Sequence, residues 1–214
     1  MDLEYRQEYL GEFLEEVDVY YPLDLIMPCV DPQLELLDAG VEGRTYILGV
    51  DFAKQRDETA IILLERSAEG LLVRYLETWS HMDYSDQIGR IGQLSKRFPI
   101  ALGAADQTGV GEVVVEDLKR LVSNCQGVIF SMQTKTDMAA GLRTLFERQR
   151  IRIPNHKKLI MQINSLRYQV SKTGNLLFES PEKERVHDDM LWALALACYA
   201  AREEPLVVKD LFGD

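Results

Sequence analysis

Four aspartates stand where an ionised side chain is hard to accommodate. Asp51 closes the apolar run Tyr46-Ile47-Leu48-Gly49-Val50, and Asp106 closes Ile100-Ala101-Leu102-Gly103-Ala104-Ala105. Asp188 and Asp189 open the stretch Met190-Leu191-Trp192-Ala193-Leu194-Ala195. A carboxylate at the margin of a core loses hydration that something else must replace. Taken singly, each of these acids reads as a turn residue or a helix N-cap. Taken together, they describe a site. If the first two runs are neighbouring strands and the last is a helix laid across them, at least three carboxylates meet at one sheet edge. They repel one another and stay ionised only with a cation between them. All-oxygen donors favour a hard ion, Mg²⁺ or Mn²⁺. Two such ions about 3.5–4 Å apart form the clamp for in-line phosphodiester cleavage, one generating the attacking hydroxide and the other stabilising the leaving 3′ oxygen.

The elements that must position these acids are legible from periodicity. Thr45–Asp51, Thr59–Glu65 and Leu71–Trp79 predict three strands, with Glu69-Gly70 as the turn before the third. Their tight spacing predicts an antiparallel meander. Ile88, Ile91, Leu94 and Phe98 predict a helix over Ser85–Arg97. Ile100–Asp106 predicts a fourth strand, Gly111–Val122 a helix, and Val128–Phe130 a short fifth strand. Helices come next over Thr136–Gln149 and Lys157–Tyr168, with Pro154 closing the piece between them. Lys172-Thr173-Gly174-Asn175 is a turn between two strands, the second being Leu176–Glu179, and a helix over His187–Ala201 ends the pattern. This order predicts an α/β fold, a mixed sheet with helices on both faces. Gly109-Val110-Gly111 either turns the chain sharply beside Asp106 or brings backbone N–H groups near a phosphate.

Composition narrows the class. The chain has 214 residues, 46% hydrophobic and 28% charged, as expected of a folded globular chain. No apolar run approaches the ~18 residues of a membrane span, and Met1–Arg6 lacks a signal-peptide pattern. Cys29, Cys125 and Cys198 are odd in number, widely separated and without zinc spacing, which points to a reducing compartment. The net charge of −11 argues against a nucleic-acid partner until it is located. Residues 1–42 hold twelve acids and one base, Arg6, while residues 43–214 hold 23 of each sign. Within the neutral part, residues 143–185 carry ten bases against four acids. Local charge steers a polyanion better than the total does. Tyr5, Tyr9, Leu10, Phe13, Leu14 and Val17 predict a short helix, and Pro22, Pro28 and Pro32 break the stretch after it into a linker.

These motifs carry a resemblance. Gly49-Val50-Asp51-Phe52-Ala53, Asp57-Glu58-Thr59-Ala60, Ala105-Asp106-Gln107-Thr108-Gly109-Val110-Gly111-Glu112 and His187-Asp188-Asp189-Met190-Leu191-Trp192-Ala193 resemble the nuclease domain of the large terminase subunit of tailed phages. That domain belongs to the ribonuclease H-like superfamily, and the resemblance covers roughly residues 43–202. Arg6-Gln7-Glu8-Tyr9-Leu10-Gly11-Glu12-Phe13 also resembles the segment joining terminase ATPase and nuclease domains. The implied organisation is an acidic helix and linker arm over 1–42, a ribonuclease H-like nuclease domain over 43–204 and a tail over 205–214. No P-loop motif occurs, so the chain is expected to be a carboxy-terminal portion.

The resemblance implies roles. Asp51 would bridge two Mg²⁺ or Mn²⁺ ions, Asp106 would bind one, and Asp189 would be the ligand from the final helix, with Asp188 a second ligand or orienting group. Asp57 is an accessory acid, and His187 would assist proton transfer or touch phosphate. Lys172, at the hairpin tip, would contact DNA. Arg148, Lys157, Lys158 and Arg185, from the basic segment, would hold phosphates with little sequence preference. The implied activity is endonucleolytic cutting of double-stranded viral DNA during genome packaging in the host cytoplasm. The implied partners are DNA, an upstream ATPase domain, the portal and the small terminase subunit, with no membrane. The residues leave open a resolvase or transposase of the same superfamily, a non-catalytic docking module of the packaging motor, and an actin-like ATP-binding fold.

Overall fold

A computed structural model describes residues 19–53, 58–108, 110–170, 176–179 and 188–202. In chain order the elements are α1 (Leu23–Ile26), a 3₁₀ turn (Met27–Cys29), β1 (Val30–Asp31), β2 (Tyr46–Asp51), β3 (Thr59–Ser67), β4 (Gly70–Trp79), α2 (Tyr84–Arg97), β5 (Ile100–Asp106), α3 (Gly111–Leu121), β6 (Cys125–Val128), α4 (Met132–Glu147), β7 (Ile151–Pro154), α5 (Lys157–Ser165), β8 (Arg167–Val170), β9 (Leu176–Glu179) and α6 (Asp189–Ala200). Seven strands form one sheet in the order β1-β7-β4-β3-β2-β5-β6, and β8 and β9 form a separate antiparallel pair. The meander β2–β3–β4 is antiparallel, whereas β5 and β6 extend it in parallel from β2, and β7 from β4.

The central strands are continuous apolar runs because both of their faces are covered. Ala60 to Leu64 of β3 are fully buried. On one face Ile91, Leu94 and Phe98 from the end of α2, and Leu118 of α3, meet Leu48, Val50, Ile61 and Leu63. On the other, α6 lies between the sheet and helices α4 and α5, so it is apolar all round rather than amphipathic. Gly49 makes the close approach of α6 possible: a Cβ there would overlap the Ala193 carbonyl and stand 2.6 Å from the Ala197 nitrogen. The glycine of β2 thus lets the helix main chain rest on the strand that carries Asp51.

Residues 19–42, expected as part of an arm, lie on this same fold. Tyr20, Tyr21, Ile26 and Cys29 enter the α6-side core, and β1 pairs in parallel with β7. Farther on, Leu37 donates its N–H to the Arg74 carbonyl (2.7 Å) and Gly40 to that of Arg97 (2.8 Å). The buried Glu65 carboxylate holds both Arg44 and Arg74, the latter at 2.9 Å. The short elements differ from the periodicity in two places. The helix expected to reach Tyr168 ends at Ser165, because Leu166 turns to extended backbone and β8 begins. The fifth strand is Cys125–Val128, with Ile129 and Phe130 beyond its end. The expected helix over 3–17, Asp57, Gly109, the 172–175 turn with Lys172, Arg185, His187 and the tail 205–214 all lie outside the described residues.

One cap makes part of the stability pH-dependent. His156 Nδ1 accepts the Leu159 N–H at the start of α5 (3.1 Å), which requires a neutral imidazole. Burial, with Lys158 beside it, lowers the His156 pKa from its ordinary value. The unfolded chain therefore takes up a proton first. The cap's contribution is complete above pH ~6.5 and is lost as pH falls from there through the depressed folded value. His156→Ala is expected to lower stability by about 1 kcal/mol at pH 8 and by less at pH 5, read from urea midpoints.

Candidate active site

Asp51 and Asp106 are the last residues of neighbouring parallel strands. The register places Val50 opposite Ala105, so both acids leave the same sheet edge. Asp189 is the first residue of α6, which packs along β2, β3 and β5 with its first turn over that edge. Asp189 is only 8% exposed. The electrostatics report the gathering. Burial, and then the charges of Asp189, Asp106 and Asp188 in that order, hold the Asp51 carboxyl well above the usual carboxylate range. Lys135 opposes them.

Each acid is aimed by a local contact. Asp106 Oδ1 accepts the Thr108 N–H (2.8 Å) and hydroxyl (2.6 Å), and Thr108 Oγ1 in turn accepts the Phe130 N–H (2.7 Å). The turn after β5 is thereby tied to the chain leaving β6. The Trp192 indole N–H donates to Asp188 Oδ2 (2.7 Å). Asp188 makes no side-chain cap for α6, and Gln162 of α5 supplies one instead by accepting the Met190 N–H (2.7 Å). Ala53, two residues after Asp51, is clamped by a buried polar pair. Thr59 Oγ1 accepts the Ala53 N–H (2.8 Å), and Gln87 Nε2 donates to the Ala53 carbonyl (2.8 Å) and to that of Met82 (2.7 Å).

Lys135 went unseen in the sequence. Its ammonium lies over the rings of Trp192 (4.7 Å to the centroid) and Phe130 (5.3 Å), themselves 5.4 Å apart. Lys135 precedes the basic segment 143–185, and a lone lysine one turn into a helix carries no distinguishing pattern. Tyr84, at the start of α2, is a second unforeseen neighbour: burial and the Asp106 charge raise its pKa. The residues expected on DNA divide. Lys157 and Lys158 open α5, where Lys158 is paired with Glu58. Arg148 instead comes after α4 and lines a cleft with Ser67 and Gly70 at the opposite end of β3.

Among the described residues, no three acids, histidines or cysteines are drawn together tightly enough to hold an ion as they stand. The donor set nevertheless fits a hard divalent cation. It offers carboxylate oxygens only, with negative charge in excess, and the burden falls on the half-buried Asp51.

A mixed sheet with an antiparallel meander followed by parallel strands, helices on both faces and acids at the ends of its first and fourth core strands defines a ribonuclease H-like fold. Within that class the chain belongs to the Terminase RNaseH-like domain family, which it matches over residues 48–200. It is 29% identical over 206 residues to the terminase large subunit of Thermus virus P23-45, covering 92% of this chain and 41% of that protein. The chain therefore spans about two-fifths of the curated relatives it matches. The crystal structure of the large terminase nuclease from thermophilic phage G20c with bound magnesium shares its fold, with a TM-score of 0.73 at 24% identity over 86% of this chain and 98% of that one. The cobalt-bound structure of that nuclease gives 0.72 at the same identity and coverage. Among the described residues, no helix is long and apolar enough to cross a membrane.

Proposed function

We propose that this domain is the DNA-cutting part of a terminase large subunit, a metal-dependent endonuclease acting on double-stranded viral DNA during genome packaging. The observation that carries the reading is the meeting of Asp51, Asp106, Asp188 and Asp189 at one sheet edge, where three of them raise the proton affinity of the fourth. The magnesium and cobalt of the similar nuclease support divalent metal here. Asp51, Asp106 and Asp189 would hold it, with Asp188. Bound there, two Mg²⁺ or Mn²⁺ ions would supply an activated water and charge stabilisation for the leaving 3′ oxygen.

The chain's own groups prepare that chemistry. Thr108 fixes one oxygen of Asp106, and the Trp192 indole fixes one of Asp188. Gln162 secures the first turn of α6 beneath Asp189. Lys135 offsets part of the negative charge on Asp51. In the intact protein the domain would come after an ATPase region and work with the portal and small subunit.

The test is plasmid cutting in Mg²⁺ or Mn²⁺, with and without chelator. Asp106→Asn and Asp189→Asn are expected to abolish it while the far-ultraviolet circular dichroism stays unchanged. Cutting retained by both variants, or in the presence of chelator, refutes the reading. Lys135→Gln is expected to move the acidic limb of the cleavage profile to higher pH. Without the ammonium Asp51 keeps its proton longer, and the proton competes with the metal. Lys135→Arg should restore the profile, and an unmoved limb would leave Lys135 a packing residue only. Loss of its two ring contacts should also cost about 1 kcal/mol of stability.

A further inference from the structure

At the end of the molecule away from the acids, Arg66, Arg148, Arg150 and Arg202 line a cleft of roughly 550 Å³ with Ser67 and Thr144. No acid is among the described residues that line it. Three of the arginines are held from behind by carbonyls: Arg66 donates to Ala201 (2.7 Å), Arg150 to Ala68 (3.2 Å) and Arg202 to Asp137 (3.2 Å). Arg202 also lies over the Tyr199 ring, and a side chain at Gly141 would overlap its guanidinium. Each of these bonds uses one of the five N–H donors a guanidinium carries. The arginines are thus fixed in place with donors to spare. Arg148 is exposed and, among the described residues, its side chain makes no hydrogen bond or ion pair. Arg148 is the C-cap of α4, and Arg66 and Arg202 stand at the end of α6. Each helix end carries only roughly half a negative charge, so the two ends leave the four guanidiniums well in excess. Four like charges without a counter-charge repel one another, and an anion shared among them removes that repulsion.

We propose that this cleft is a second phosphate site, one that grips the backbone of the duplex remote from the acids. The proposal rests on the reading of the domain as a DNA nuclease. Guanidinium forks match phosphate oxygens in pairs and carry no base preference. Asp51 pairs with Ala60 near the start of β3, and the cleft takes in Ser67 at its end. At ~3.3 Å per residue the separation is about 23 Å along the strand. That is about two-thirds of a turn of duplex, which advances ~34 Å per turn. A duplex seated at the acids with its axis running in the direction of β3 would bring backbone to the arginines.

The experiment is anisotropy of a fluorescent duplex across a salt series, with the full chain carrying Asp51→Asn so that the probe is not consumed. Arg148→Ala should lower the slope of log affinity against log salt by about 0.9, and adding Arg150→Ala should lower it by about 0.9 again. Arg148→Lys, which keeps the charge, should retain the slope. Melting temperatures within a degree or so of the parent would keep the comparison a binding one, and Arg148→Glu, at an exposed position, provides a second variant. Unchanged slope and affinity overturn the proposal. So does calorimetric binding of inorganic phosphate, or of a glutamate-rich peptide, that depends on Arg148 while the duplex slope does not. Arg148-dependent duplex binding without any cutting by the parent chain would sink the nuclease reading and leave this site standing. Normal cutting with Arg148-independent binding would do the reverse.

Discussion

Asp51→Asn is expected to melt at a higher temperature than the parent chain when divalent metal is chelated, and to cut no DNA. Burial and the charges of Asp189, Asp106 and Asp188 hold the Asp51 carboxyl well above its ordinary range. The folded chain therefore keeps a proton that the unfolded chain releases at about pH 3.9. This group favours folding below that value, and its contribution is lost as pH rises toward the raised folded pKa. Above that range the site costs folding free energy whether the carboxyl gives up its proton or holds it against the solvent, and asparagine, with the same shape and no titration, carries no such cost. Each unit of raised pKa corresponds to about 1.4 kcal/mol. A gain of order 1 kcal/mol appears as about 2–4 °C in a chain of this length. Magnesium should reverse the ranking, since metal that binds only the folded parent adds about 2.7 kcal/mol at a hundred times its Kd. Cleavage should fall at least about 100-fold, or ~2.7 kcal/mol of barrier. Scanning fluorimetry with and without Mg²⁺ checks the pair of shifts. A variant that melts below the parent without metal, or gains as much from Mg²⁺, removes Asp51 from the centre.

Gly49→Ala should be among the most damaging single-methyl changes in the chain. The obstacle is the α6 main chain itself, the Ala193 carbonyl and the Ala197 nitrogen at 2.6 Å, with the Ala197 Cβ at 2.8 Å. No rotamer change relieves a backbone contact, so the helix must lift from β2. We expect a loss of about 3 kcal/mol, or about 6–12 °C in melting temperature. Because Asp189 rides on the first turn of that helix, activity should fall beyond what unfolding accounts for. A displacement of about 1 Å can cost on the order of 100-fold in rate. Cutting measured well below the variant's own melting temperature separates the two effects. Parent-like cutting there would mean that α6 has room to rise without moving Asp189.

Much of this architecture was legible because its signals are local. Apolar runs that end in acids mark β2 and β5, and an apolar stretch without a polar face marks α6, buried on every side. The two strands beyond β4 were not legible. Val30–Asp31 and Ile151–Pro154 are too short to show a period, and they exist because partners lie beside them. Within the site, the acids were readable one by one, whereas the contacts that aim them join residues distant in the chain. Trp192 holding Asp188 can be deduced from α6 spacing only once the helix start is known. Gln162 capping that helix, and Thr108 meeting Phe130, depend on the fold alone. The charge of the segment 143–185 is a property along the chain and carries no direction in space. Arg148 and Lys157, nine residues apart, therefore sit at different ends of the molecule, and Lys135 lies outside the segment.

The indole that ties Asp188 also lies under the Lys135 ammonium, so Trp192 is in touch with both signs of charge at this edge. An indole's emission responds to charge in its immediate surroundings. The chain has only one other tryptophan, Trp79, on the opposite side of the sheet. With Trp79 replaced by phenylalanine, the protein would carry a built-in optical gauge whose brightness and colour track the arrival of each divalent ion, without label, substrate or turnover.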